Sequence, residues 1–199
     1  MISVREYCRH LIESYLRAHG LGQLSEMYYL RKGMGKPMAK AAVEMLEDQS
    51  IVSLSLSQGD ETYFSTPDAL ESLSSAAPRA MLRILSPFDN AVIQRKRIKS
   101  LFKYDYQIEC YVKKENRKYG YFCLPILLNN KLVARLDAKA SRKDQVFELL
   151  HLHLEDGNQD MESFYKTLKG ELNKFAAFNG CNQLRLHKLS GTDVKPAWL

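Results

Sequence analysis

Lysines and arginines that alternate with aromatic residues form the most distinctive chemical feature of this sequence. Residues 92–119 contain nine basic and three acidic side chains, and their net charge of +6 equals that of the whole 199-residue chain. Cations attract phosphate groups and aromatic rings offer faces for stacking, so the pattern favours nucleic-acid binding. A solvated, lysine-rich strand edge is the alternative interpretation. The aromatic members are Phe102, Tyr104, Tyr106, Tyr111 and Tyr119.

A second group with possible chemistry is the histidine pair His151 and His153, which lie two residues apart in a predicted strand. Both side chains point to one side of such a strand and would bind a metal ion if a third ligand lay near. The alternation with Leu150, Leu152 and Leu154 instead predicts that the leucines form the core face. In that interpretation the histidines are polar residues that face solvent.

A third group comprises Arg135, Asp137 and Lys139, which share one face of a predicted strand. They could form a cross-strand ion pair or line a phosphate path, and we expect a structural role for Asp137. The common nucleotide-binding, hydrolase and zinc-protease motifs are absent from the sequence. The four cysteines are widely spaced and predict neither a disulfide framework nor a zinc site. We therefore expect no metal and no cofactor.

Residues 1–75 predict the element order of a winged helix, three helices and then a hairpin. The helices are predicted at residues 5–18, after Ser25 as N-cap, and after Pro37; the strands are predicted at 51–56 and 62–64, with a turn at 57–60. In DNA-binding winged helices the third helix enters the major groove, so Lys36 and Lys40 are candidate phosphate contacts. Because residues 1–91 are net acidic, a spacer or protein-binding role is the alternative.

Residues 76–199 predict a β-rich domain that ends in a helix and a strand. Strand-like runs at 107–112, 119–128, 131–138 and 145–154 predict an antiparallel sheet or small barrel. Asn129-Asn130 is suited to a hairpin turn with positive φ, and the spacing of apolar residues predicts a helix at 160–178 before a last strand near Leu184. The expected fold class is α+β: a winged-helix domain followed by a small antiparallel β-barrel-like domain with a C-terminal helix.

The apolar runs are too short to cross a bilayer, and the first residues lack the pattern of a secretory signal. These features predict a cytoplasmic protein with no membrane partner.

Several motifs read together resemble the carboxy-terminal half of YcaQ-like proteins, which are winged-helix DNA glycosylases of bacteria associated with repair of interstrand crosslinks and bulky alkylated bases. The motifs are Leu85-Ser-Pro-Phe-Asp89, Arg95-Lys-Arg97, Arg117-Lys-Tyr-Gly-Tyr-Phe122, Leu132-Val-Ala-Arg135 and Asp137-Ala-Lys139. The resemblance implies tandem winged-helix units followed by a β-barrel-like domain, which together cup double-stranded DNA on a basic concave surface.

The resemblance also implies that the family's catalytic motif, Gln-x-Asp or Gln-x-Gln, lies in an amino-terminal half that this sequence does not contain. Gln58-Gly-Asp60 has the spacing but falls in a predicted turn, and Gln107-Ile-Glu109 falls in a predicted strand. We therefore expect no catalytic residue here, which leaves open whether the chain is itself an enzyme.

The predicted function is that of a DNA-binding portion of a YcaQ-like glycosylase, which grips duplex phosphates and lacks the catalytic motif. A separate amino-terminal half and a second copy of the chain are the candidate protein partners. The alternatives are a catalytically silent winged-helix regulator or protein-interaction module, and an enzyme with an unrecognised site in the barrel. The predicted DNA contacts are Arg95, Lys96, Arg97, Arg117, Lys118, Arg135, Lys139, Lys36 and Lys40.

Overall fold

The computed structural model describes residues 2–56, 61–75, 81–156 and 160–198. The chain divides into two compact units, Met1–Ala77 and Pro78–Leu199. The predicted turn at 57–60, which includes Gln58-Gly-Asp60, lies outside the described residues. Within the described ranges, every helix is too short or too polar to cross a membrane.

The first unit contains four helices: α1 (Val4–His19), α2 (Leu24–Met27), α3 (Gly35–Glu47) and α4 (Pro67–Ser75). Helix α1 starts with a capping box, in which the Ser3 hydroxyl accepts from the Glu6 N–H at 3.2 Å and the Glu6 carboxylate accepts from the Ser3 N–H at 2.8 Å. The prediction that Ser25 caps α2 is wrong. Gln23 occupies the capping position, and its N–H donates to the Glu26 carboxylate at 3.3 Å.

A small antiparallel sheet completes the first unit. Its strands are β1 (Leu21–Gly22), β2 (Val52–Ser55) and β3 (Thr62–Ser65), in the order β1-β3-β2. The hairpin strands and the helix after Pro37 are confirmed, whereas β1 was too short to be predicted. Apolar residues of α1, α2 and α3 form the core, where Ile12, Met38 and Met45 are fully buried.

The second unit is built on a six-stranded sheet. Its strands are β4 (Leu82–Ile84), β5 (Leu124–Leu128), β6 (Lys131–Ser141), β7 (Val146–Leu154), β8 (Gln183–Leu186) and β9 (Leu189–Ser190), and its helices are α5 (Arg95–Phe102) and α6 (Met161–Phe178). The strand order is β4-β5-β6-β7-β8, and β9 also pairs with β7. Strands β4 to β7 pair antiparallel, as predicted for β5 to β7, but β8 and β9 run parallel to β7. A parallel pair needs a long crossover, which α6 supplies, so the prediction of a wholly antiparallel sheet is wrong.

Helix α6 covers one face of this sheet, and its predicted range is confirmed. Asp160 caps the helix by accepting from the N–H of Glu162 at 3.1 Å. Phe164, Leu168 and Leu172 are buried against the strands. The predicted turn before β6 is also confirmed, since Asn129 has a φ of 54°.

A β-bulge in β7 decides which residues reach the core. The pairing with β6 shifts between Asp137 and Ala138, which leaves Leu150 as the extra residue. Leu149 and Leu152 are both fully buried, while Leu150 is 37% exposed, so the prediction of Leu150 in the core is wrong. Because side chains alternate along a strand, His151 and His153 then lie on the opposite face of the sheet.

Residues 103–123, hereafter the basic loop, cover part of that opposite face. The predicted strand at 107–112 is wrong, and no strand begins before Leu124 in this part of the described chain. Side-chain hydrogen bonds hold the loop in place, where a strand would use backbone hydrogen bonds to its neighbour. The hydroxyls of Tyr104 and Tyr106 donate to the carbonyls of Ala134 and Cys123 at 3.3 and 2.5 Å. Both tyrosines are 3% exposed.

Candidate nucleic-acid interface

The first turn of α5 contains the basic triplet at residues 95–97. The Arg95 guanidinium donates to the carbonyls of Val92 and, at 2.8 Å, Pro87, and it lies 4.6 Å from the centroid of the Tyr106 ring. Arg97 is only 6% exposed and donates to the Asn90 carbonyl at 2.7 Å. The two arginines therefore tie α5 to the turn that precedes it. Lys96 is exposed between them.

Arg135 lies at the centre of the sheet face that the basic loop covers. Its side chain is 4% exposed, pairs with the Glu155 carboxylate, and donates to the Asp105 carbonyl at 3.1 Å. The guanidinium carbon lies 4.3 and 4.1 Å from the ring centroids of Tyr104 and Tyr119. Burial opposes the charge, but the hydrogen bond to Glu155 and the charges nearby outweigh it and raise the pKa of Arg135. Arg135 thus holds the loop against the sheet.

Two carboxylates bind five consecutive backbone N–H groups of the basic loop. Glu109 accepts from residues 118, 119 and 120 at 2.8, 2.8 and 3.0 Å, and Asp137 accepts from residues 121 and 122 at 3.0 and 3.1 Å. Burial opposes ionisation of Glu109, but the three N–H donors hold its pKa below the usual value. Gly120 has a φ of 153°, and a side chain there would collide with Asp137. The expected structural role of Asp137 is confirmed.

The histidine pair forms a hydrogen-bonded chain beneath the loop. His151 Nδ1 lies 2.8 Å from the Tyr119 carbonyl, so it donates; His151 Nε2 and His153 Nδ1 lie 2.7 and 2.8 Å from the Ser190 hydroxyl. Burial lowers the pKa of both imidazoles, which favours their neutral forms. His151 is 8% exposed, so the prediction of a solvent-facing pair is wrong. Among the residues that the structure describes, no three His, Cys, Asp or Glu side chains are grouped as a metal site would require.

The outer surface of the basic loop carries the exposed cations. Lys118 is exposed and its ammonium lies 4.8 Å from the Tyr119 ring, while Arg117 is half-buried and lies 4.8 Å from the Tyr121 ring. Lys139 is exposed on β6, on the same strand face as Arg135. These side chains differ from the buried arginines in one respect that matters for binding: their charge reaches solvent.

In the first unit, Lys36 and Lys40 lie one turn apart on the exposed face of α3. They line an open groove together with Val4, Pro37 and Ala41. Nearby, Arg5 pairs with Glu44 at 2.7 Å, so part of the local positive charge is neutralised within the unit.

Sequence reasoning missed the residues that shape the interface. Glu109 was noted only within Gln107-Ile-Glu109 and Glu155 was not singled out, because their partners are backbone groups and an arginine far along the chain. The interleaved tyrosines were noticed, but their spacing does not distinguish buried Tyr104 from Tyr111, which is 94% exposed.

Comparison with known proteins gives a family match and a structural match. The family model described as "DNA glycosylase AlkZ-like" matches residues 3–178. The chain is also similar to the solved structure of the Streptomyces sahachiroi DNA glycosylase AlkZ, with a TM-score of 0.61 and 16% sequence identity. The match covers 94% of this chain and 47% of that one, so the chain spans about half the length of the protein it matches.

Proposed function

Because this chain belongs to the AlkZ-like DNA glycosylase family, we propose that it is the part of such a protein that grips duplex DNA. Membership of the family confirms the resemblance drawn from the sequence and implies a role in DNA repair with DNA as the partner. Recognition of crosslinked or alkylated DNA is part of the proposal.

The observation that carries the proposal is the net charge of +6 in residues 92–119, set on a fixed scaffold of buried arginines and carboxylates. A rigid, positively charged surface contacts phosphates without losing much conformational freedom on binding. Lys96, Arg117, Lys118 and Lys139 supply these contacts. Arg95, Arg97 and Arg135 position the surface, since their guanidinium groups donate to carbonyls within the chain and both Arg97 and Arg135 are buried. Arg117 also donates within the chain, through Nε to the Val112 carbonyl, and in the proposal contacts phosphate with the rest of its guanidinium group.

The first unit acts in the proposal as a winged helix, with α3 directed at DNA through Lys36 and Lys40. The second unit serves as the barrel-like domain that the family resemblance implies. The predicted absence of the Gln-x-Asp or Gln-x-Gln motif from residues 1–199 is part of the proposal, so these residues are expected to bind DNA without releasing bases.

The proposal is tested by measuring binding to labelled plain, alkylated and crosslinked duplexes over a range of salt concentrations, with base release scored in the same samples. The Lys96→Ala, Lys118→Ala double variant should lower the slope of log affinity against log salt by roughly 0.9 for each phosphate that a lysine no longer neutralises. The matched control is Lys166→Ala, Lys169→Ala, which removes two exposed lysines from α6. An unchanged slope in the first variant would refute the assignment, and base release by the wild-type chain would refute the absence of catalysis.

A protein-interaction function is the second candidate, and one observation favours it. Ile2, Val4 and Val43 are 75%, 62% and 54% exposed in the first unit, and Val4 lines the groove beside α3 with Pro37 and Ala41. Exposed apolar surface of this kind marks protein contacts. The occupant would be the catalytic half or a second copy of this chain. Light scattering over a range of concentrations, compared with Val4→Asp, distinguishes self-association from a monomer.

A further inference from the structure

The tyrosines of the basic loop fall into two classes. Tyr104 and Tyr106 are each 3% exposed and contact arginines within the unit. Tyr111 is 94% exposed and Tyr121 is 53% exposed. Covering a tyrosine ring removes a large apolar area from water and is favourable. A ring that the chain itself leaves nearly fully exposed on a fixed loop is therefore available to an external partner.

Arg117 contacts the backbone next to one exposed tyrosine and the ring of the other. Its Nε donates at 2.9 Å to the carbonyl of Val112, the residue that follows Tyr111, and its guanidinium carbon lies 4.8 Å from the Tyr121 ring centroid. The Tyr121 N–H also donates to the Asp137 carboxylate at 3.0 Å, which fixes the backbone of that residue. One arginine therefore links the backbone beside Tyr111 to the ring of Tyr121.

We propose that Tyr111 and Tyr121 form a stacking site for unpaired bases of DNA, with Arg117 and Lys118 contacting the flanking phosphates. This inference rests on the proposed function and adds to it the class of DNA that the loop favours. Aromatic rings bind base faces, which are hidden inside a closed duplex but available at a gap, a bulge or a single strand. Cations beside the rings match the phosphates on either side of such a base.

The test is anisotropy binding of the full chain to three labelled DNAs of one sequence: a closed duplex, a duplex with a short gap, and a single strand. Tyr111→Ala and Tyr121→Ala should each weaken binding to gapped and single-stranded DNA by about 5- to 100-fold. They should leave binding to the closed duplex and the salt slope almost unchanged. Tyr111→Phe keeps the ring and should bind like wild type.

Phe178→Ala is the matched control, because Phe178 is also a nearly fully exposed aromatic residue, at 88%, at the end of α6. Wild-type affinity of the tyrosine variants for all three DNAs would overturn the inference, while leaving duplex gripping intact. Equal losses on all three DNAs would overturn it as well. If wild type binds none of the DNAs at low salt, the proposed function itself fails together with this inference.

Discussion

Helix α3 and the basic loop present lysines in two physically different ways. On α3, the helical period alone puts Lys36 and Lys40 outside while Met38 and Met45 are fully buried. At Lys118 the basic loop has no regular secondary structure, and the position of Lys118 depends on Glu109, which binds the N–H of Lys118 itself. In a regular helix, local sequence therefore decides which cations are exposed, whereas in the loop this depends on contacts with residues far along the chain.

The comparison predicts that the loop is sensitive to single changes and α3 is not. The largest effect is expected for Arg135→Ala, which leaves Glu155 without its partner and two tyrosine rings without a packed neighbour. Removal of one partner of a buried ion pair costs about 3 kcal/mol or more of unfolding free energy. Urea unfolding measures it.

Lys139→Ala is the control for Arg135→Ala, since Lys139 lies further along the same strand and is exposed. Its effect should stay within about 0.5 kcal/mol. Equal stability of the two variants would show that Arg135 does not hold the loop.

An intermediate effect is expected for Glu109→Gln, because the amide oxygen replaces a carboxylate that accepts from three N–H groups. We expect a loss of about 1 to 3 kcal/mol at neutral pH. The pKa of Glu109 is lowered in the folded chain, so its contribution is complete above the unfolded value of 4.5 and is lost as pH falls below that value. Unfolding measured against pH should show the two proteins converging in acid, and a difference that stays constant with pH would contradict this.

A smaller effect is expected for Ser190→Ala, which removes the hydroxyl between the two imidazoles. The loss should be about 1 kcal/mol.

Burial lowers the pKa of His151 and His153 below 6.5, so wild-type stability should decrease as pH falls from 6.5, where the unfolded chain takes up protons first. Stability that rises over that interval in thermal unfolding would show that the imidazoles are charged in the folded state.

The smallest effect on stability is expected for Lys36→Ala with Lys40→Ala, because both side chains are exposed on a regular helix. The melting temperature should hardly change, within about 0.5 kcal/mol of wild-type stability. A large decrease would mean that α3 depends on these lysines as the loop depends on its anchors.

The sequence predicted α3, α6 and the hairpin of β2 and β3 because their determinants are local, but it did not predict α5, β4 or β9. The apolar spacing and Asp160 cap define α6, and the Asn129 turn defines the β5–β6 hairpin. The bulge at Leu150 could not be predicted, because it depends on how β7 pairs with β6. The parallel pairing of β8 with β7 could not be predicted either, because it depends on the crossover through α6.

The number and spacing of the basic residues predicted where the cations of the candidate site lie. They did not predict which of these cations are exposed and which are buried. Arg97 and Lys96 are neighbours in the sequence, yet Arg97 is buried and donates to the Asn90 carbonyl at 2.7 Å, while Lys96 is exposed. The loop at 107–112 alternates like a strand, but Glu109 binds the loop's own N–H groups instead of joining a ladder. Contacts between residues far apart in the sequence decide most of these outcomes.

Lysine acetylation footprinting with and without duplex DNA shows whether DNA covers the exposed lysines of α5, β6 and the basic loop. Mass spectrometry reports the acetylation rate of each lysine. We predict slower modification of Lys96, Lys118 and Lys139 when DNA is bound, and unchanged rates for Lys166 and Lys169 on α6. Protection of the α6 lysines with no protection of Lys96 and Lys118 would contradict this prediction.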